Sequence, residues 1–209
     1  MNHLFFIRHG ESEANRQKIL GSQLAYCLTD EGKADAALIA EELYEVHRIN
    51  RIISSPLLRT LQTAQPFAEK FGLEIETDDR FKEQHFGSFS GMYYEEAKAE
   101  PDFEMDYTKR WDWRPKGGGE SYEDISIRLI DFFALIEKKP LDGNTLIVTH
   151  AVTLRIVQAL LENTLPDYPE AFQNNGEIQI VDFKRLGESH HMESIMLGNS
   201  ADFVLNPKT

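Results

Sequence analysis

One cysteine, Cys27, stands in 209 residues, so no disulfide can form within the chain, as fits a reducing compartment. The amino-terminal stretch lacks the basic region, apolar centre and small-residue cleavage site that together direct secretion. No apolar run approaches the roughly 20 residues needed to cross a bilayer; the longest, Leu4 to Ile7 and Leu146 to Val148 with their neighbours, are strand-sized. These absences lead to the expectation of a soluble, cytoplasmic protein with no membrane partner. Positive charge is scarce as well. Against 35 Asp and Glu there are 22 Lys and Arg, a formal net charge of -13, which repels nucleic acid at long range and makes a nucleic-acid partner unexpected. Repeats and low-complexity tracts are missing, and no His, Cys and Asp set has the spacing of a metal site. Adjacent His190 and His191 would point to opposite sides of a strand.

What remains suffices for one sizeable core: 41% of residues are hydrophobic and 11% aromatic. Residues 3–7, 51–55, 73–77, 145–149 and 177–183 read as short strands rich in Ile, Val, Leu and Phe. Helical patterns separate them. Thr29 caps a predicted helix burying Ala36, Ile39, Ala40 and Leu43. Ser55 with Pro56 opens another, with Leu58, Leu61 and Phe71 inward and Pro66 expected to kink or restart it. Ser121 with Asp124 resembles a capping box, opening a helix that carries Ile125, Leu129, Phe132 and Ile136. A last helix follows His150 directly, with Leu154, Val157 and Leu161 on one side. Alternating strands and helices predict an α/β domain over residues 1–209 with a mainly parallel sheet, the first and fourth strands central. Residues 91–117, polar and aromatic without clear period, read as a lid-like excursion. From Arg185 on, an edge strand or hairpin with a fraying tail is expected.

In such sheets, ligands bind beyond the carboxyl ends of the strands. The first predicted strand delivers Arg8, His9 and Gly10, the second Ser54 and Ser55 with Arg59 one turn later, and the fourth His150. If these strands are neighbours, two arginines and two histidines meet in a cationic cup of phosphate size. "KGGGES" at 116–121 lacks the spacing of a phosphate-binding loop and reads as loop and helix cap.

Six ordered segments carry a resemblance: "IRHGESEAN" (7–15), "CLTDEGKADA" (27–36), "SSPLLRTLQTA" (54–64), "FKEQHFGSFSG" (81–91), "GGESYEDISIR" (118–128) and "IVTHAVTLR" (147–155). Together they resemble the histidine phosphatase superfamily, also called the phosphoglycerate mutase-like family. The resemblance implies a three-layer α/β/α fold and a small phosphate ester as substrate, with no cofactor and no metal; it leaves the oligomeric state open. It implies that His9 is the nucleophile that accepts the phosphoryl group. Arg8, Arg59 and a protonated or hydrogen-bond-donating His150 would then hold the transferring oxygens. Glu83 would protonate the leaving oxygen, shielded from water by Phe81, Phe86 and Phe89. Ser12 and Asn15 resemble donors on the substrate side, and Gly21 and Ala151 would complete the substrate contacts. Two departures touch that last pair. The loop at 20–29 lacks the acid often found before its Leu-Thr pair, and Ala151 stands where glycine is common.

The same cup serves hydrolysis or transfer to a second hydroxyl. The mutases of the family follow the acid with an arginine and place a lysine further on; here those positions are Gln84 and Tyr94. The reading is therefore a phosphomonoester hydrolase working through phosphohistidine, with a cofactor-dependent phosphoglycerate mutase as the alternative. Lys109, Arg110, Arg114 and Lys116 keep that alternative open, since they could bind a second anion. A second alternative is a catalytically silent phosphate-binding module. Phe103, Tyr107, Trp111 and Trp113 are candidates for a pocket wall, and His85 for a pocket residue.

Overall fold

The structure, a computed structural model, describes residues 3–199. Strand β1 (His3–Arg8) is followed by a single helical turn, α1 (Glu13–Arg16), and by α2 (Asp30–Val46), which Thr29 caps by accepting from the N–H of Gly32. Then come β2 (Arg51–Ser54), α3 (Leu58–Phe71) and β3 (Ile75–Thr77). Two short 3-10 turns (Asp79–Phe81 and Gly87–Phe89) lead to α4 (Tyr94–Ala99), a third such turn (Tyr107–Lys109) and α5 (Tyr122–Lys138). The chain continues with β4 (Thr145–Thr149), α6 (Ala151–Glu162), β5 (Glu177–Asp182) and β6 (His191–Met196).

The six strands form one sheet in the order β3-β2-β4-β1-β5-β6. β3, β2, β4 and β1 run parallel, while β5 and β6 are antiparallel additions at one side. Alternation along β1 separates the two apolar layers. Leu4 and Phe6 join Ile125, Leu129, Phe133 and Val157 beneath α5 and α6; Phe5 and Ile7 join Ile39, Leu43, Ala64 and Phe67 beneath α2 and α3. Both faces of the central strands are thus covered, the three-layer α/β/α arrangement. Their continuous apolar runs follow from that position.

Register brings the reactive residues together. Arg8 lies opposite Thr149 and Ser54 opposite Val148, so β1, β2 and β4 end level, and His9, Ser55 and His150 leave the sheet at one edge.

Several expectations need correction. α3 is entered at Leu57, not Ser55, with no side-chain cap bond; the hydroxyl of Ser55 meets the ring of His150 and accepts from the N–H of Leu57, ahead of the first turn. Its buried face is Arg59, Thr60, Thr63, Ala64, Phe67 and Ala68; Leu58, Leu61 and Phe71 are half-buried. The helix runs unbroken through Pro66: packing against α2 outweighs one missing N–H. β3 begins at Ile75, two residues late. The excursion holds an unforeseen helix, α4, and an apolar cluster of its own, built from Phe86, Phe89, Ala97 and Phe103 with Leu20, Met92, Tyr94 and Trp113 around them. The expected carboxy-terminal edge strand is β6, paired with β5; the fraying tail beyond 199 lies outside the described residues.

Candidate active site

At the level edge of β1, β2 and β4 the chain closes a cavity of about 90 Å³ lined by Arg8, His9, Ser12, Asn15, Gly21, Ser22, Arg59, Glu83 and Ala151. Leu20, Phe86, Tyr94, Tyr107 and Phe172 add an apolar and aromatic wall. Its charged lining is three arginines, Arg8, Arg59 and Arg110, against one carboxylate, Glu83. A chain that is acidic overall concentrates cations here.

His9 follows β1, its N–H bonded to the carbonyl of Thr149 at 3.0 Å. Its ring Nδ1 lies 2.7 Å from the carbonyl of Gly10. A carbonyl only accepts, so Nδ1 carries the proton and Nε2 keeps its lone pair. Arg59 Nε donates to that Nε2 at 3.1 Å. Burial first, then Arg59, then Arg8, holds the imidazole well below the usual histidine range, so His9 is neutral near pH 7. Gly10 sits where α2 meets this loop. A Cβ on Gly32 would fall 2.2 Å from the carbonyl oxygen of Glu11, and one on Gly10 2.8 Å from that of Gly32; the two glycines permit this backbone approach.

Arg59 is fixed from the other side by carbonyls, Nη2 on Ser22 at 2.7 Å and Nη1 on Leu24 at 3.1 Å. Ser22 is a residue that sequence reasoning missed. It holds a left-handed backbone at φ 47°, and its hydroxyl accepts from the N–H of Phe86 at 2.9 Å. Burial pushes Arg59 down to about 10 and lowers Arg8 as well, while Glu83 acts in the opposite sense on both. Both stay cationic at neutral pH. Arg8 Nε is buried without a partner, a donor in reserve for an anion.

Glu83 is buried between the two 3-10 turns. One carboxylate oxygen accepts from the N–H of Gln84 at 2.9 Å; the other lies 3.4 Å from the N–H of Val152 in the first turn of α6. Of the three aromatics expected around it, Phe86 lines the cavity, whereas Phe81 packs beneath α5 and Phe89 inside the excursion.

His150 caps α6 through its backbone, with no side-chain cap bond. Its ring lies 5.2 Å from that of His9, centroid to centroid. It is fully buried and stands behind the residues lining the cavity. Nε2 meets Ser55 Oγ at 2.8 Å, and Nδ1 has no partner. Burial, with Arg59, His9, Arg128 and Arg8 adding to it, holds this ring far below the histidine range. Of the two forms expected from the sequence, protonated or hydrogen-bond-donating, this burial favours the neutral, donating ring.

Ser12 and Asn15 both line the cavity, yet they also bond each other. Ser12 caps α1, and Asn15 Oδ1 accepts from Ser12 N–H at 3.0 Å and Oγ at 2.7 Å. With Oδ1 so engaged, the Asn15 amide nitrogen is the group left to donate outward. Gly21 and Ala151 line the cavity as expected. His85 does not: its ring accepts from Gly87 N–H.

Of the four cations at 109–116, Lys109, Arg114 and Lys116 pair with Asp106, Asp124 and Asp102 away from the cavity. Arg110 alone reaches it, held by the carbonyl of Glu104 and stacked on Tyr107, Phe103 and Trp113. Of the expected wall aromatics only Tyr107 lines the cavity. Phe103 and Trp113 pack in the excursion and Trp111 against the main core. Phe172, which no pattern marked, joins the wall. A wider groove, about 740 Å³, runs between β2, β3 and the end of α5. It contains no histidine, and its Arg51 and Arg80 are paired with Glu76, Asp78 and Asp131.

Comparison with known proteins points the same way. A model of the histidine phosphatase superfamily (branch 1) matches residues 4–192. Phosphoglycerate mutase-like protein 4 of Arabidopsis thaliana is 32% identical over 163 residues, covering 77% of this chain and 70% of that protein. Phosphoserine phosphatase 1 of Hydrogenobacter thermophilus is 35% identical over 164 residues, covering 76% of this chain and 75% of the relative. Among solved structures, YhfR of Bacillus stearothermophilus superposes with a TM-score of 0.81 at 23% identity, over 97% of this chain and 99% of that one; this likeness concerns the fold.

Proposed function

The chain belongs to the histidine phosphatase superfamily (branch 1), and from that premise we propose that it hydrolyses small phosphate esters through a phosphohistidine formed on His9. The observation that carries this reading is a neutral imidazole whose Nε2 faces a buried guanidinium in a cavity where arginines outnumber carboxylates. A phosphoryl group entering there takes the donors of Arg8 and Arg59 on its oxygens, which frees Nε2 to attack. The N–P bond forms as the ester P–O bond breaks, and the departing alkoxide takes a proton from Glu83. Water then attacks phosphorus, gives its proton to the Glu83 carboxylate, and the N–P bond breaks. Ester and water yield alcohol and phosphate, and the chain is unchanged. In this reading neutral His150 donates from Nδ1 while Ser55 holds Nε2, and Asn15, Gly21 and Ala151 face the ester.

Hydrolysis is preferred to mutase chemistry because the cavity is short of further anion grips. Gln84, where mutases carry arginine, is buried with its amide on the carbonyl of Glu120, and Lys109, Arg114 and Lys116 are paired elsewhere. The excursion acts as the lid of a single domain, since Tyr94, Tyr107 and Arg110 reach the cavity from it. The reaction as drawn uses only side chains of the chain, so it needs no metal. A cytoplasmic setting accords with the single cysteine; among the described residues no helix is long and apolar enough to cross a membrane.

The test is phosphate release from 4-nitrophenyl phosphate in EDTA, beside a coupled assay of 3- to 2-phosphoglycerate conversion. The reading expects the first signal. The second alone would establish the mutase, and neither would leave the silent binding module.

A further inference from the structure

Glu83 sits in a segment that no sheet or long helix holds, flanked by two 3-10 turns of three residues each. A proton donor must nevertheless be held within a fraction of an ångström of the leaving oxygen. Two side chains outside the cavity converge on this segment. Arg128, from the second turn of α5, donates to the carbonyls of Arg80 and Lys82, the latter at 2.6 Å. Its Nε reaches Glu120 at 3.2 Å. The carboxylate of Glu120 in turn accepts from the backbone N–H of His85 at 2.9 Å and from the amide of Gln23 at 3.2 Å. That same Gln23 amide donates to the carbonyl of Glu83 at 2.9 Å, and the carbonyl of Glu120 accepts from Gln84 Nε2 at 2.7 Å. Residues 80 to 85 are thus held on both sides of Glu83 by one ion pair.

We propose that Glu120 and Arg128 are positioning residues that aim the Glu83 carboxyl at the leaving oxygen. The inference rests on Glu83 as proton donor, as given above. Neither side chain lines the cavity, so the role assigned to them is exerted through the backbone around Glu83. The glycine-rich loop delivers Glu120 beside the segment that carries the acid, and the capped start of α5 sets Arg128 two turns on. Thr153 and Thr149 add donors to the carbonyls of Lys82 and Phe81, both at 2.7 Å, but they act from one side only.

Proton donation matters when the leaving group is a poor one, which gives a readout that general loosening of the fold does not reproduce. Single-turnover phosphorylation of His9 is measured with glycerol 3-phosphate, an alkyl ester, and with 4-nitrophenyl phosphate, whose phenolate leaves without help. In E120A and R128M the alkyl rate is expected to fall roughly 10- to 100-fold with the aryl rate nearly unchanged. E83Q shows the same selectivity, and E83Q combined with E120A adds nothing to it. E120Q, which keeps an acceptor for Gln23 or His85, recovers most of the alkyl rate. If E120A proves too unstable to isolate, R128K supplies the comparison, since lysine keeps the charge and loses the fork that spans two carbonyls. Equal loss on both esters in E120A or R128K, with E83Q selective, overturns the positioning and leaves Glu83 as the acid. Equal loss in E83Q itself overturns the acid role and the positioning with it.

Discussion

Arg59 donates its Nε–H to Nε2 of His9 across 3.1 Å, so the guanidinium covers the one ring atom that could attack phosphorus. Substrate oxygens must draw that hydrogen bond away before attack. In the proposed reaction Arg59 therefore guards the lone pair when the cavity is empty and would bind the transferring group when it is full. The carbonyls of Ser22 and Leu24 hold its terminal nitrogens.

Replacing Arg59 should separate two effects. R59A and R59K lose a planar fork that lysine cannot copy, and kcat should fall by roughly 100- to 1,000-fold, as for loss of one preorganised donor. R59A also removes a cation that lowers the His9 pKa, so the acid limb of kcat/KM should move up toward the ordinary histidine value. A pH-rate profile of both variants checks this.

The unperturbed histidine value is about 6.5, and both His9 and His150 lie well below it in the fold. Between that value and the folded ones the unfolded chain binds more protons, so stability is full above about pH 6.5 and falls as the pH drops through the folded values. Tm measured from pH 8 downward should decline below 6.5, less steeply in H150N. A stability flat in acid would show that these rings are not buried as neutral groups.

Much of this architecture was legible because β1 and β4 are buried on both faces and must be apolar throughout, and because Ser121 with Asp124 caps α5 as a box. Ser55 misled because the chain turns into α3 only at Leu57, two residues later, so the Ser55 hydroxyl stands ahead of the first turn and meets His150. Helix α4 left no trace: six residues bury only Ala97, too few for a period. The anchors of Arg59 are backbone carbonyls, which every residue owns, and Ser22 carries no mark of its left-handed backbone. Arg8, His9, Arg59, Glu83 and Ala151 were foreseen at the cavity and line it. The neutral state of His150 depends on burial, which is settled by tertiary packing.

The close contact of α2 with the loop after His9 predicts an intolerant site. G32A places a Cβ 2.2 Å from a backbone oxygen, and the forced separation should cost about 1–3 kcal/mol by denaturant unfolding. Activity should fall with it, because Gly10, whose carbonyl fixes the His9 tautomer, is part of that contact.

Removal of the paired cations of the excursion should do little. The triple substitution K109A, R114A and K116A should leave kcat/KM for 4-nitrophenyl phosphate within about twofold, the scatter expected of surface changes. A large loss would mean that these side chains leave Asp106, Asp124 and Asp102 to reach the substrate.

The account turns on a phosphorylated imidazole. Quenching the chain during turnover of a labelled ester and mapping the acid-labile phosphate should find it on Nε2 of His9 in the native chain, and find none in H9A. Label on another residue, or label retained by H9A, would contradict the account.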